Sequence, residues 1–260
     1  MVYFLDESKN PSPGSSLSTL TFSNFIGAVP KSDTFPERSD AVQCELPLEV
    51  LNALNGLNEI LAPNVNSSIN QDAGTPIPLK VLAGGIEVEP IVKELIQQLG
   101  KWYFAEQAAA SGFEPTSLRI SEMLSEVVRH LAQVAESLKS DGYDSFSVNL
   151  TRNSFADELH THTYCSYILY VGRESGTEII PGRFEERGLR VREGRYDWSR
   201  NTKHVLCNDL TNLSFVTADV KRGLLLPPGV AHRAPRLIRG EGGSGGNGAN
   251  LAVVLLAFKL

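Results

Sequence analysis

Residues 158–171 read ELHTHTYCSYILYV and hold two of the chain's five histidines, His160 and His162. Side chains alternate along a strand with period two, so an extended segment puts both imidazoles on one face. Glu158, Tyr164, Ser166 and Ile168 share that face, and Cys165 points the other way, into a core. Two imidazoles one strand repeat apart can chelate a single divalent ion from a fixed backbone.

A partner for this pair comes about 70 residues later. The apolar run Gly223-Leu224-Leu225-Leu226 leads into Pro227-Pro228-Gly229-Val230-Ala231-His232. Proline fixes φ and glycine permits a tight reversal, so this turn aims His232 reproducibly at the start of a new strand. Further short β-rich runs lie at 146–150, 213–220, 222–227 and 250–258. Short strands separated by turn signals indicate a sandwich or barrel. Residues 241–249, EGGSGGNGA, read as a flexible link before the last strand, because no helix follows to receive a phosphate.

The first half has a different texture. Residues 1–40, rich in Ser, Pro and Asn, read as an irregular arm. From Pro47 to Leu61 the apolar positions recur at helical spacing. A second helix is expected from Pro90 to Tyr103, with Ile91, Leu95, Leu99 and Trp102 on one stripe, and a third from Ser117 to Lys139, stopped by Gly142. These faces are packing surface. The expected fold is α+β: an arm (1–40), a helical subdomain (41–141), and a C-terminal double-stranded β-helix, jelly-roll or cupin-like (142–260), against which the helices pack.

A net charge of -6 opposes a general nucleic-acid binder, which needs a basic face. Three scattered cysteines provide no disulfide framework and suit a reducing compartment. MVYFLDESKN lacks the basic start of a secretory signal, and no apolar run approaches the ~20 residues that span a bilayer. A cytoplasmic protein without membrane or nucleic-acid partners is expected.

His160, His162, Pro227, Gly229 and His232 resemble the two motifs of the cupin superfamily, H-x-H and P-x-G-x-x-H. Where that pattern carries a Glu after H-x-H, this chain has Ser166 and Tyr167. The resemblance thus implies a three-histidine set, similar to that of the thiol and diketone dioxygenases of the superfamily. HTHTYCSYILYVGRESGTEIIP, residues 160–181, also looks like the signature of an uncharacterised family in which F-H-x-D leads into G-x-G-T-E-W-x-P. His232-Arg233-Ala234-Pro235 resembles the later H-R-S-P motif of that family. The family in turn is similar to Fe(II)/2-oxoglutarate oxygenases with an H-x-D…H triad. Here His162 replaces the Asp, and no Arg lies in the final strand to grip a 2-oxoglutarate carboxylate.

These readings converge on a non-haem Fe(II) oxygenase. His160, His162 and His232 are the expected metal ligands, leaving positions for dioxygen and a small anionic substrate. Zn(II) is the alternative metal, in a non-catalytic metal-handling protein, and 2-oxoglutarate is the less favoured co-substrate. Tyr164 is either a proton donor beside the metal or a core tyrosine. Glu178 is either a partner to a ligand histidine or a turn residue. Arg173, Arg183 or Arg233 would supply counter-charge for a carboxylate. His130 reads as a packing residue and His204 as a solvated one.

Overall fold

The computed structural model describes residues 2–5, 17–28, 41–64, 74–81, 87–104, 113–152, 159–180, 184–188, 202–204, 215–233 and 248–259. Along them run β1 (Val2–Leu5), β2 (Ser18–Leu20), α1 (Phe22–Ala28), β3 (Val42–Glu45), α2 (Leu48–Leu61), β4 (Ile77–Pro78), α3 (Val88–Tyr103) and α4 (Phe113–Ser140). Then come β5 (Ser145–Arg152), β6 (His160–His162), β7 (Cys165–Val171), β8 (Glu178–Ile179), β9 (Phe184–Gly188), β10 (Thr202–His204), β11 (Val216–Thr217), β12 (Arg222–Leu226), β13 (His232–Arg233) and β14 (Leu251–Phe258).

The α4 sequence buries Leu124, Val127, Val128, Leu131, Val134, Ala135 and Leu138 completely, a stripe at the three- and four-residue spacing of one helical face. Its end is set by Gly142, whose φ of 84° only glycine adopts without cost. The Gly142 N–H donates to Lys139 and the Tyr143 N–H to Leu138, which satisfies two carbonyls of the last turn. Tyr143 then folds under as a buried residue, and the chain enters β5.

A seven-stranded sheet, ordered β2-β3-β12-β7-β14-β5-β4, forms the centre. Its pairings are antiparallel except β2 with β3. Cys165, Tyr167, Leu169 and Val171 of β7, with Val253 and Leu255 of β14, face α2, α3 and α4 in one large core. The opposite face, with Tyr170, Leu224, Leu226 and Val254, packs in a second cluster with Ile179 and Val230. Those two residues belong to a five-stranded sheet, ordered β10-β6-β13-β8-β11, and to the turn that feeds it. A separate ribbon pairs β1 with β9.

The helices α2, α3 and α4 fall where the apolar spacing puts them, whereas α1 lies in the segment read as an irregular arm. The β-half differs in two ways. Residues 160–171 form two strands in two different sheets, bent at Thr163 and Tyr164. The first half also contributes strands: β2 lies in the segment read as an arm, and β3 and β4 join the same large sheet as β14. Four residues or fewer per strand leave no periodicity to detect, so only pairing reveals them.

His130 sits on α4 within the large core, 2% exposed, with Nε2 2.9 Å from the Tyr167 hydroxyl and its ring against Phe22. Burial pulls its pKa from 6.5 down to about 4. Between those values the unfolded chain binds a proton that the native chain refuses, so stability rises with pH there. His130 thus contributes stability in full above pH 6.5, and loses about 3 kcal/mol as pH falls to 4. Urea unfolding at pH 7.5 and 4.5 checks this. A His130→Phe chain is expected to show a smaller loss than the wild type; equal losses would show that His130 is not the group responsible.

Candidate metal centre

The five-stranded sheet brings the three histidines together. β13 pairs antiparallel with β6, with His232 directly opposite His160, and directly opposed residues share a face. His162 lies one strand repeat from His160 on that same face. Ring centroids are 4.3 Å apart for His160 and His232, 4.9 Å for His160 and His162, and 4.8 Å for His162 and His232. One ligand atom from each lies within 4.8 Å of the others. An ion shared at ~2.1 Å by each ring nitrogen would need the three ligand atoms somewhat closer than this upper limit.

Backbone geometry fixes the third histidine. Gly229 has φ of 84°, and its N–H donates to the His162 carbonyl at 2.9 Å, so the Pro-Pro-Gly turn is tied to the strand carrying the other two histidines. His232 Nδ1 lies 2.9 Å from the Val230 carbonyl. A carbonyl only accepts, so Nδ1 carries the proton and Nε2 keeps its lone pair for an ion.

The site favours neutral rings. Burial, then the nearness of His160, lowers the His232 pKa to about 3. Burial lowers that of His162 well below its ordinary value, with His232 and His160 adding to the shift. Three imidazoles this close cannot all carry protons, and neutral imidazole is the form that binds metals.

Tyr164 is buried, with its ring stacked on His162 at 4.4 Å and 5.1 Å from Phe258. Glu178 and Arg233 sit elsewhere. They stand opposite each other on β8 and β13, while His232 stands opposite Ile179, so strand alternation sends them to the other face of the sheet. There the Arg233 guanidinium bonds Glu178 at 2.5 Å and covers the Phe215 ring at 3.8 Å. The pair braces β13 against β8 from outside. Arg173 follows the far end of β7, close to the Tyr170 and Tyr103 phenols. Glu158 and Arg183 lie outside the described residues.

The Gly176-Thr177-Glu178 signature is a corner between the sheets. A Cβ on Gly176 would fall 2.2 Å from the Ala218 carbonyl oxygen, and the Thr177 hydroxyl bonds that of Tyr170 at 2.8 Å. Cys44 and Cys165 are buried, and burial pushes both thiols up to about 12, far from a thiolate nucleophile. The turn carbonyl of Val230 and the phenyl ring of Phe258 add to the surroundings, and on the other edge of β6 the β10 strand sets His204, read from the sequence as a solvated residue, opposite His160 and Thr202 opposite His162. A backbone oxygen carries no sequence signal, and Phe258 reads simply as the end of an apolar strand.

No family model matches the chain, and no curated protein matches it. Among solved structures, the dioxygenase for auxin oxidation 1 from Arabidopsis thaliana is 10% identical, with a TM-score of 0.30, covering 94% of each chain. The E. coli protein ycfD is 12% identical with a TM-score of 0.28, over 50% of this chain and 30% of its own. The match thus spans less than a third of the ycfD chain. Likenesses this slight say nothing of what this chain does.

Gly229→Ala isolates the turn, because no atom lies within 4 Å of the added Cβ and only the positive φ resists it. The metal-free variant is expected to lose about 1 kcal/mol in urea unfolding. A loss above ~3 kcal/mol would instead indicate a steric clash.

Proposed function

We propose that this chain is a mononuclear non-haem iron oxygenase with a jelly-roll barrel, using His160, His162 and His232 as its metal ligands. The convergence of three neutral imidazoles, one of them oriented by a backbone carbonyl, carries this reading. A bound Fe(II) would supply Lewis acidity and a meeting point for dioxygen and an organic substrate.

The protein's own contribution is positional. The β6–β13 pairing holds two ligands face to face, and the Gly229 N–H keeps the turn from drifting away from His162. The Val230 carbonyl holds the His232 proton on Nδ1. Tyr164 and Phe258 cover the His162 side and exclude water from part of the site. The Tyr164 hydroxyl is the proton donor this reading assigns. Arg233 and Glu178 act on the position of β13 rather than on substrate.

The test is metal content followed by oxygen uptake. The purified chain is expected to bind one equivalent of Fe(II) or Co(II), and His160→Ala, His162→Ala and His232→Ala should each lower affinity at least a hundredfold with an unchanged circular dichroism spectrum. Retention of full affinity in any of the three would remove that residue from the ligand set. Oxygen consumption after iron loading supports the oxygenase. Tightly held zinc without oxygen consumption supports a metal-handling protein instead, since three imidazoles suit Zn(II) equally.

A further inference from the structure

The five-stranded sheet carries one continuous row of positions through the candidate centre. His204 of β10 stands opposite His160 of β6, His160 opposite His232 of β13, and His232 opposite Ile179 of β8. Directly opposed residues of antiparallel strands share a face. Ile179 is fully buried in the cluster formed with the large sheet, so this row belongs to the inner face. Lys203, one position from His204, stands opposite Thr161 and belongs to the outer face. The register thus sets position 204 on the same face as the three gathered histidines, and four of the chain's five histidines occupy that face.

The two edges of β6 mirror each other in this respect. His232 stands opposite His160 and diagonal to His162, and these placements give ring centroids 4.3 and 4.8 Å apart. Position 204 has the same relation to His160 and His162 from the other edge. Positions 204 and 232 lie two strand spacings apart, ~10 Å. An extended imidazole with its ~2.1 Å bond to an ion covers more than half of that distance, so an ion above β6 lies within reach of both edges. Polar residues on an edge strand also guard against stray pairing, and Lys203 on the outer face already serves that need.

Resting on the metal reading above, we propose that His204 is a fourth ligand, which makes the centre a four-imidazole site held by three adjacent strands. This departs from the solvated residue expected from the sequence. Thr202, Lys203 and His204 are too few to show a strand by alternation, and only the pairing with β6 reveals their faces. The fourth imidazole changes what the centre accepts. On an octahedral Fe(II) it leaves two positions, one for dioxygen and one for a single donor atom of the substrate. A co-substrate that chelates through two atoms, as the 2-oxo acid group of 2-oxoglutarate can, would fill both. On a tetrahedral Zn(II) four imidazoles close the ion off, as in structural sites.

Long-range proton–nitrogen spectra of the full-length chain labelled with nitrogen-15, with Zn(II) alone as the probe, count the ligating rings. One equivalent is expected to move four histidines to the shifts of metal-bound imidazole and to leave His130 unmoved. His204→Ala and His204→Gln should each remove one of the four and weaken Zn(II) binding at least tenfold. Lys203→Ala, on the opposite face, should leave the affinity unchanged. Circular dichroism of the metal-free variants separates folding from ligation, and the ring count in the wild type decides the matter should either His204 variant unfold. Three shifted rings, with His204→Ala within twofold of the wild-type affinity, would overturn the fourth ligand and leave the triad standing. No shifted ring at all would discard both readings.

Discussion

The pairing of β13 with β6 is the constraint on which the candidate site depends. It is a very short pairing, with His232 opposite His160, yet it converts residues far apart in sequence into neighbours with ring centroids 4.3 Å apart. Two residues alone do not hold a strand in place. The Gly229 N–H on the His162 carbonyl, the Ile180 N–H on the Ala231 carbonyl and the Arg233–Glu178 pair each fix β13 from a different side. A one-residue slip would exchange His232 for Ala231 or Arg233 on the inner face, and two imidazoles would remain where three are needed.

Proton affinity follows from the same packing. Three basic rings gathered in a buried space repel one another when charged, and burial penalises each charge further, so the rings stay neutral. That condition suits a cation and disfavours an empty site in acid. His130 obeys the same rule in the other core without gathering any partner that could ligate: its neighbours are a phenol and a phenyl ring. A lowered histidine pKa therefore reports burial in both places, and only convergence distinguishes the candidate centre from a core residue.

Much of this was legible in the sequence. The α4 stripe, from Ile120 to Leu138, repeats over about five turns of chain, and Gly142 marks its end, so helix and boundary follow from spacing and backbone chemistry. H-x-H and P-x-G-x-x-H each state a local geometry, and the structure brings those geometries to one point. What was not legible is the facing of isolated residues. Glu178 and Arg233 are plausible site groups by composition, but their side of the sheet depends on register with β8 and β13, strands of two residues with no pattern of their own. The bend at Thr163 and Tyr164 was hidden for a similar reason, since alternation continues in the side chains while the backbone changes sheets.

The large sheet explains why one strand can serve two purposes. In β7, Cys165, Tyr167, Leu169 and Val171 face the helices, where the core is closed and Tyr167 meets His130. The alternate positions Ser166, Ile168 and Tyr170 face the five-stranded sheet, and of these Ile168 alone is only half-buried. Rigidity on the first face comes from three helices and a dense core, and that rigidity is transmitted through the strand because its two faces share one backbone. Helices packed on one face of the large sheet thereby set how firmly its other face, against the five-stranded sheet that carries the three histidines, is held.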